Sequence, residues 1–302
     1  MKIKIGIIGC GPWAEVIKKN LNNNKNFKLK YFVCRNKSVH KKLKDKYLIF
    51  NNFNDLIKYE KPNAVYLAGD PSTYLNIIKK TNRHNIDCII EKPIALNSED
   101  SRKIKRYRDL FKNKIYLNLP NLHDQKFIKL KALILKRKIL KIHILEGDNG
   151  PFRKKIDPLF DWGTHPISTI LYLLNNNNKF EKLSFKKIIS NSKLNKKLIK
   201  INFVLKNIKI KIITGNALKI KQRKIKFYYN KHDYIIYDFH KKNILSSDYF
   251  IKNINEINKR FYPTPMQNLL NNFLKKNMLK NQLKIFDSGI QAIKILNKCM
   301  KI

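Results

Sequence analysis

Lys2-Ile3-Lys4-Ile5-Gly6-Ile7-Ile8-Gly9-Cys10-Gly11-Pro12-Trp13-Ala14 is the stretch whose reading decides the fold of this chain. Residues 2–9 are apolar enough for a buried strand, and 12–20 read as the helix that follows. The turn between them, Gly9-Cys10-Gly11-Pro12-Trp13-Ala14, has the pattern G-x-G-x-x-A. In a strand-turn-helix setting each small residue has a task. Gly9 permits the tight turn, Gly11 lets a pyrophosphate approach the backbone, and Ala14 lets the helix pack closely on the strand. The helix start adds free N–H groups and the positive end of its dipole. The competing reading is an ordinary glycine turn.

Working outward, residues 27–34, 47–50, 63–68, 86–90 and 114–119 read as further strands. Residues 38–46, 54–59, 72–83 and 98–111 read as the helices between them. Strands alternating with helices at this spacing imply β-α-β units and a parallel sheet. Six strands in about 120 residues suit a doubly wound, dinucleotide-binding Rossmann domain, an α/β fold. The second half differs. Residues 138–146 read as a strand and 164–174 as an apolar helix. Residues 180–190, 198–206, 208–214, 224–229 and 234–239 are strand-like runs, and 265–276 and 287–300 close the chain as helices. Strict alternation over 208–212 gives one apolar and one wet face. This predicts a C-terminal α+β domain with a largely antiparallel open sheet. The expected division is 1–120 for the dinucleotide-binding domain and 121–302 for a substrate-binding and oligomerisation domain. Residues 175–178 read as a solvated loop. A sheet with more apolar surface than one helix layer covers predicts a homodimer or higher homo-oligomer.

The chain has 302 residues and a formal net charge of +44. That charge invites a nucleic-acid reading. The charge is carried by 56 Lys against 9 Arg, spread along the whole chain, and Lys, Asn and Ile make up close to half of it. These residues have AT-rich codons, and Arg, the usual reader of phosphates and bases, is scarce. Compositional drift explains the charge without a specific nucleic-acid partner. No stretch suits a membrane span or a signal peptide. The four cysteines, Cys10, Cys34, Cys88 and Cys299, lie far apart. They read as buried free thiols of a cytoplasmic protein, with no zinc pattern and no bound metal expected.

Three further segments carry candidate chemistry. The second strand leads into Arg35-Asn36-Lys37-Ser38, where an acid would grip a ribose hydroxyl. The cationic Arg35 and the hydroxyl of Ser38 suit a 2′-phosphate instead, so NADP is expected over NAD, with NAD possible. Glu91-Lys92-Pro93 follows the fifth strand, where residues line the ligand crevice, and Lys92 could hydrogen-bond a substrate oxygen. Asp161 and His165 stand four apart, so on a helix they share a face, and the carboxylate could orient the imidazole as a proton carrier. One surface lysine among many, and a satisfied half-buried histidine, are the plain alternatives.

Taken together, these segments resemble the glucose–fructose oxidoreductase / inositol dehydrogenase (Gfo/Idh/MocA) family of oxidoreductases over nearly the whole chain. The resemblance rests on the 9–14 turn, the strand at 64–68, Glu91-Lys92-Pro93, Asp161-x-x-x-His165 and the C-terminal helices. It implies an NAD(P)-dependent dehydrogenase that moves a hydride between a nicotinamide and a secondary hydroxyl or ketone of a sugar, cyclitol or nucleotide sugar. Lys92, Asp161 and His165 would be catalytic. Gly9, Gly11, Pro12, Trp13, Ala14, Arg35, Ser38, Gly69, Tyr74, Glu91 and Lys92 would line the cofactor. The chain departs from the family pattern at Gly69, Asp70 and Tyr74, and at Asn121-Leu122-His123, where an Arg is usual. Those departures keep a second reading open, a non-catalytic dinucleotide-binding sensor of the same fold.

Overall fold

The structure is a computed structural model. It describes every residue except 112, 176–179, 248–250, 260, 276–277 and 302, and gives backbone only for 251–253. The loop reading at 175–178 therefore falls almost wholly outside the described residues. The chain forms two compact units, Met1–Leu119 with Met266–Ile290, and Pro120–Pro265 with Gln291–Ile302.

In the first unit strands and helices alternate as β1 (Ile3–Ile8), α1 (Pro12–Asn22), β2 (Phe27–Val33), α2 (Lys37–Leu43), β3 (Leu48–Phe50), α3 (Phe53–Tyr59), β4 (Ala64–Leu67), α4 (Tyr74–Arg83), β5 (Asp87–Glu91), α5 (Ser98–Leu110) and β6 (Ile115–Asn118). All strand pairs are parallel, and the order is β3-β2-β1-β4-β5-β6. The order reverses beside β1, so the switch point of the doubly wound sheet falls at the ends of β1 and β4. Every residue of β4 and of β6 is buried, as a sheet covered on both faces requires. Asparagine, abundant in this chain, is put to use at helix starts. Asn36, Asn52 and Asn97 each cap a helix by accepting a backbone N–H, for α2, α3 and α5.

The second unit runs α6 (Pro120–His123), α7 (Gln125–Ile134), β7 (Lys141–Asn149), α8 (Pro158–Leu173), β8 (Glu181–Asn191), β9 (Lys196–Leu205), β10 (Ile208–Gly215), β11 (Ala217–Tyr228), β12 (Tyr234–Asp238), β13 (Asn243–Ser246) and α9 (Ile251–Lys259). Its seven strands lie in the order β13-β12-β11-β7-β10-β9-β8. All pairs are antiparallel except β7 with β10. That pair is parallel because the chain leaves β7 through α8 and the β8–β9 hairpin before it returns, a crossover rather than a hairpin. Ile208, Ile210 and Ile212 are buried, and α8 packs on their sheet from within the unit. At these three positions the apolar face is covered by the chain itself, whereas Ile188 and Ile189 on β8 and Ile220 on β11 are exposed. The opposite face carries lysines. His143 on β7 stands in register with Lys211 on one side and Lys226 on the other. Burial, then the charges of Lys141, Lys211 and Lys226, lower its pKa from 6.5 to about 4.

The chain ends with α10 (Pro265–Phe273) and α11 (Leu279–Met300). Met266, Leu269, Leu270 and Phe273 join the core of the first unit with Ile5, Ile7, Phe27 and Tyr116. At Gly289 an added Cβ would stand 2.3 Å from Leu117, so glycine is what lets α11 approach β6. No described helix is long and apolar enough to cross a membrane.

Candidate functional site

The turn after β1 is shaped by two glycines with opposite surroundings. Gly9 has φ +118°, and a Cβ there would lie 2.8 Å from the backbone of Ala68 and Gly69 at the end of β4. Glycine is required by the fold at this position. At Gly11 an added Cβ would meet nothing within 4 Å. Gly11 is the N-cap of α1, no side chain caps the helix, and Pro12 occupies its first position. Pro12 brings no N–H and the Ala14 N–H donates to the Gly11 carbonyl at 2.9 Å, so the Trp13 N–H and the dipole end are what this helix start can offer a phosphate. Ala14 is buried against the sheet, whereas Trp13 is partly exposed. This edge fits the pyrophosphate of a dinucleotide.

At the ribose end, Arg35 is exposed beyond β2. The Ser38 hydroxyl donates to Asn36 Oδ1 at 2.7 Å, so it is already engaged at the start of α2. Cys10 and Cys34 form a disulfide, which corrects the expectation of four free thiols. Pairing of Ile8 with Val33 puts the residues after the two strands side by side, a proximity that 24 residues of sequence separation conceal. Cys88 and Cys299 are free and buried.

Gly69 and Tyr74 are brought together, since the buried Tyr74 hydroxyl donates to the Gly69 carbonyl at 3.1 Å. Asp70 starts the short 3-10 turn Pro71–Thr73 by accepting from the Ser72 backbone N–H at 3.0 Å. Glu91, at the end of β5, is buried among donors. The Tyr66 hydroxyl donates at 2.6 Å and the Asn118 amide at 2.5 Å, and the Trp13 side chain also hydrogen-bonds to it. Burial pushes its pKa up, against the opposing pull of those donors and of Lys92. The fingerprint turn and the Glu-Lys-Pro segment are thus tied through Trp13 and Glu91. Lys92 follows, half-buried, with a cis bond to Pro93.

In the second unit, α8 starts six residues earlier than the sequence suggests, so Asp161 and His165 lie on one helix a turn apart. The N-cap is Asp157, whose carboxylate accepts the Leu159 N–H at 2.8 Å and pairs with Lys197. Asp161 and His165 are both buried, and Asp161 pairs with Arg153 at 3.3 Å. Gly163 lets the helix lie close to Leu296, which an added Cβ would approach to 2.9 Å. A cluster that the sequence reading passed over lies in the same unit. Buried Glu146 accepts from Arg223 at 2.7 Å, and Arg223 also donates to Asn121 at 2.9 Å. Asn121 holds the position where the resemblance leads one to expect an Arg, and it is met by an Arg from β11. The available signal was scarcity. In so lysine-rich a chain, a retained Arg marks a site that needs its fork.

Residues 3–117 match the family profile described as "Oxidoreductase family, NAD-binding Rossmann fold", GFO_IDH_MocA. No curated protein sequence matches the chain. Among solved structures, the chain is similar to an oxidoreductase from Magnetospirillum magnetotacticum MS-1, at 16% identity and TM-score 0.81, covering 99% of this chain and 100% of that one. It is also similar to the WlbA dehydrogenase from Bordetella pertussis in complex with NADH and UDP-GlcNAcA, at 13% identity and TM-score 0.80, covering 99% and 96%. A third is the aldose-aldose oxidoreductase from Caulobacter crescentus, at 12% identity and TM-score 0.77, covering 100% and 97%. At these identities the likeness is one of fold.

Proposed function

We propose, given that residues 3–117 belong to the Gfo/Idh/MocA oxidoreductase family, that the chain is a dehydrogenase or reductase acting on a secondary hydroxyl or ketone of a sugar, cyclitol or nucleotide sugar. The observation that carries this reading is the uncapped start of α1 beside Gly11, at the switch point of a six-stranded parallel sheet. A nicotinamide dinucleotide, when bound, supplies or accepts the hydride. The backbone of the 9–14 turn holds the pyrophosphate. Arg35 meets a 2′-phosphate, which favours NADP over NAD, and here the engaged Ser38 hydroxyl contributes less than Arg35 does. Lys92 hydrogen-bonds the reacting oxygen and stabilises negative charge developing on it. His165 takes or gives the hydroxyl proton, and Asp161 on the preceding turn favours its charged form. The substrate class is supported by the solved dehydrogenase that holds NADH with UDP-GlcNAcA and by the aldose-aldose oxidoreductase.

The test is titration with NADH and NADPH, followed by a panel of nucleotide sugars, aldoses and cyclitols assayed for nicotinamide oxidation or reduction. NADPH should bind more tightly, and at least one panel member should turn over. A second reading, a dinucleotide-binding sensor without turnover, is favoured by the engagement of Asp161 with Arg153, which competes with its action on His165. Firm dinucleotide binding with no turnover on any panel member would select it.

A further inference from the structure

The Cys10–Cys34 bridge lies at an unusual place for a structural crosslink. Cys10 is the central residue of the Gly9-Cys10-Gly11 turn, and Cys34 is the first residue beyond β2. The backbone here is already held without it. Gly9 N–H donates to the Val33 carbonyl at 2.9 Å, and Cys34 N–H donates to the Phe50 carbonyl at 2.9 Å. The covalent bond therefore adds little to the placing of these strands. It matters more for what lies beyond their ends. In a doubly wound sheet a dinucleotide sets its pyrophosphate on the turn after β1 and its adenine ribose at the end of β2. The sulfur–sulfur bond joins those two places directly.

From this position we infer that Cys10 and Cys34 are a thiol–disulfide switch on the dinucleotide site, an inference that rests on the cofactor reading above. Joined, the pair closes the space between the phosphate turn and the ribose end and fixes the start of the Arg35 segment. Reduced, it opens that space. The Cα atoms are 5.7 Å apart, a separation at which the bond can form or break without displacing the strands. Cys10 is partly exposed and Cys34 buried, so an external reagent reaches Cys10 first. The chemistry is exchange with a low-molecular-weight disulfide such as glutathione disulfide. The Cys10 thiolate attacks one sulfur of the small disulfide and expels one thiol, and Cys34 then displaces the second. The protein loses two thiol hydrogens and two electrons, and one small disulfide becomes two thiols. Cys88 and Cys299 are buried and take no part.

Linkage gives the inference a second face. If oxidation weakens dinucleotide binding, bound dinucleotide must by the same factor favour the reduced pair. The experiment uses the whole chain in two states, reduced with dithiothreitol and oxidised with glutathione disulfide. Intact mass and thiol count verify each state. NADH and NADPH are titrated into both by fluorescence. Reduced protein should bind, oxidised protein should bind roughly 5–150-fold more weakly, the scale of a site-to-site coupling, and dithiothreitol should restore binding. The Cys10→Ser variant, with Cys10→Ala as a second should the first fold poorly, should bind equally after either treatment, whereas Cys34→Ser, which keeps the reachable thiol, should bind when reduced and carry one glutathione by intact mass after oxidation. Equal binding by oxidised and reduced wild type would overturn the switch, as would failure of the oxidant to join Cys10 to Cys34. If reduced wild type and Cys34→Ser both fail to bind either dinucleotide, the cofactor reading falls and this inference with it, a pattern distinct from equal binding.

Discussion

Two helix starts, one in each unit, differ in whether a side chain fills them. Both α1 and α8 begin with proline at the first position, Pro12 and Pro158, and both follow an extended residue. At α8 the preceding residue is Asp157, whose carboxylate fills the helix end from within the chain. At α1 the preceding residue is Gly11, which supplies no side chain, and no neighbour stands where one would go. The same local feature, a helix start whose proline brings no N–H and whose next residue needs an acceptor, is met by a carboxylate at α8 and by no side chain at α1. Asn36, Asn52, Asn97 and Asp124 cap their helices, whereas the starts of α1 and α4 have no side-chain cap, and on the proposed reading the open start of α1 takes the pyrophosphate.

The contrast can be broken from either side. The largest effect is expected on α8, where the proposed proton carrier sits. His165→Asn should lower turnover by roughly 10²–10⁴-fold, the scale for loss of a general acid or base. Dinucleotide affinity should be unchanged, and wild-type turnover by this variant would remove His165 from the mechanism. Next comes Gly9→Ala, which places a Cβ at 2.8 Å from the Ala68 and Gly69 backbone in a left-handed conformation. Overpacking and backbone strain together should cost about 2–5 kcal/mol in denaturant unfolding. A variant as stable as wild type would show that the turn relaxes.

Gly11→Asp makes α1 resemble α8. Gly11 has φ −75° and ψ 177°, which any residue adopts, so the helix should keep or gain stability while its end is filled by a carboxylate. Dinucleotide binding should weaken on the order of 10²-fold, because the new charge repels the pyrophosphate. Unchanged affinity would show that the helix end is not the phosphate site. The converse, Asp157→Ala, empties the cap of α8 and should cost about 1–2 kcal/mol without altering dinucleotide affinity. Calorimetry and the same titration check both halves.

The smallest effect concerns pH. His143 is depressed from 6.5 to about 4 by burial and by Lys141, Lys211 and Lys226. The unfolded chain therefore binds more protons between those values, and stability falls as pH drops from about 6.5 towards 4. His143→Gln should flatten that part of the stability curve, and an unaltered curve would show that another group sets it.

What the sequence determined by itself is whatever is local and periodic. The parallel sheet of the first unit was legible because apolar strand segments alternate with helical ones and its first turn packs three small residues into six positions. The strands from β8 to β12 were legible from apolar alternation and from Ile-, Phe- and Tyr-rich runs. The short β13 and α6 and the weakly periodic α7 were not legible, and α9 was missed although Ile251, Ile254 and Ile257 recur at every third residue along it. The early start of α8 was hidden by Gly163, which looks like a helix breaker but is accommodated within the helix, where Leu296 packs close to it.

Only the tertiary structure decided which distant residues meet. Met266–Phe273 returns to the first unit because its apolar face completes the core around Ile5, Phe27 and Tyr116. Glu91 is buried beneath Trp13, Tyr66 and Asn118, three donors drawn from three separate segments. Arg223 reaches Glu146 and Asn121 from another strand, and Cys10 meets Cys34 because β1 and β2 run side by side. Spacing along a chain reports faces of one helix or strand. It does not report which strand lies next to which, since that is set by the burial of whole faces and by the crossovers that connect them.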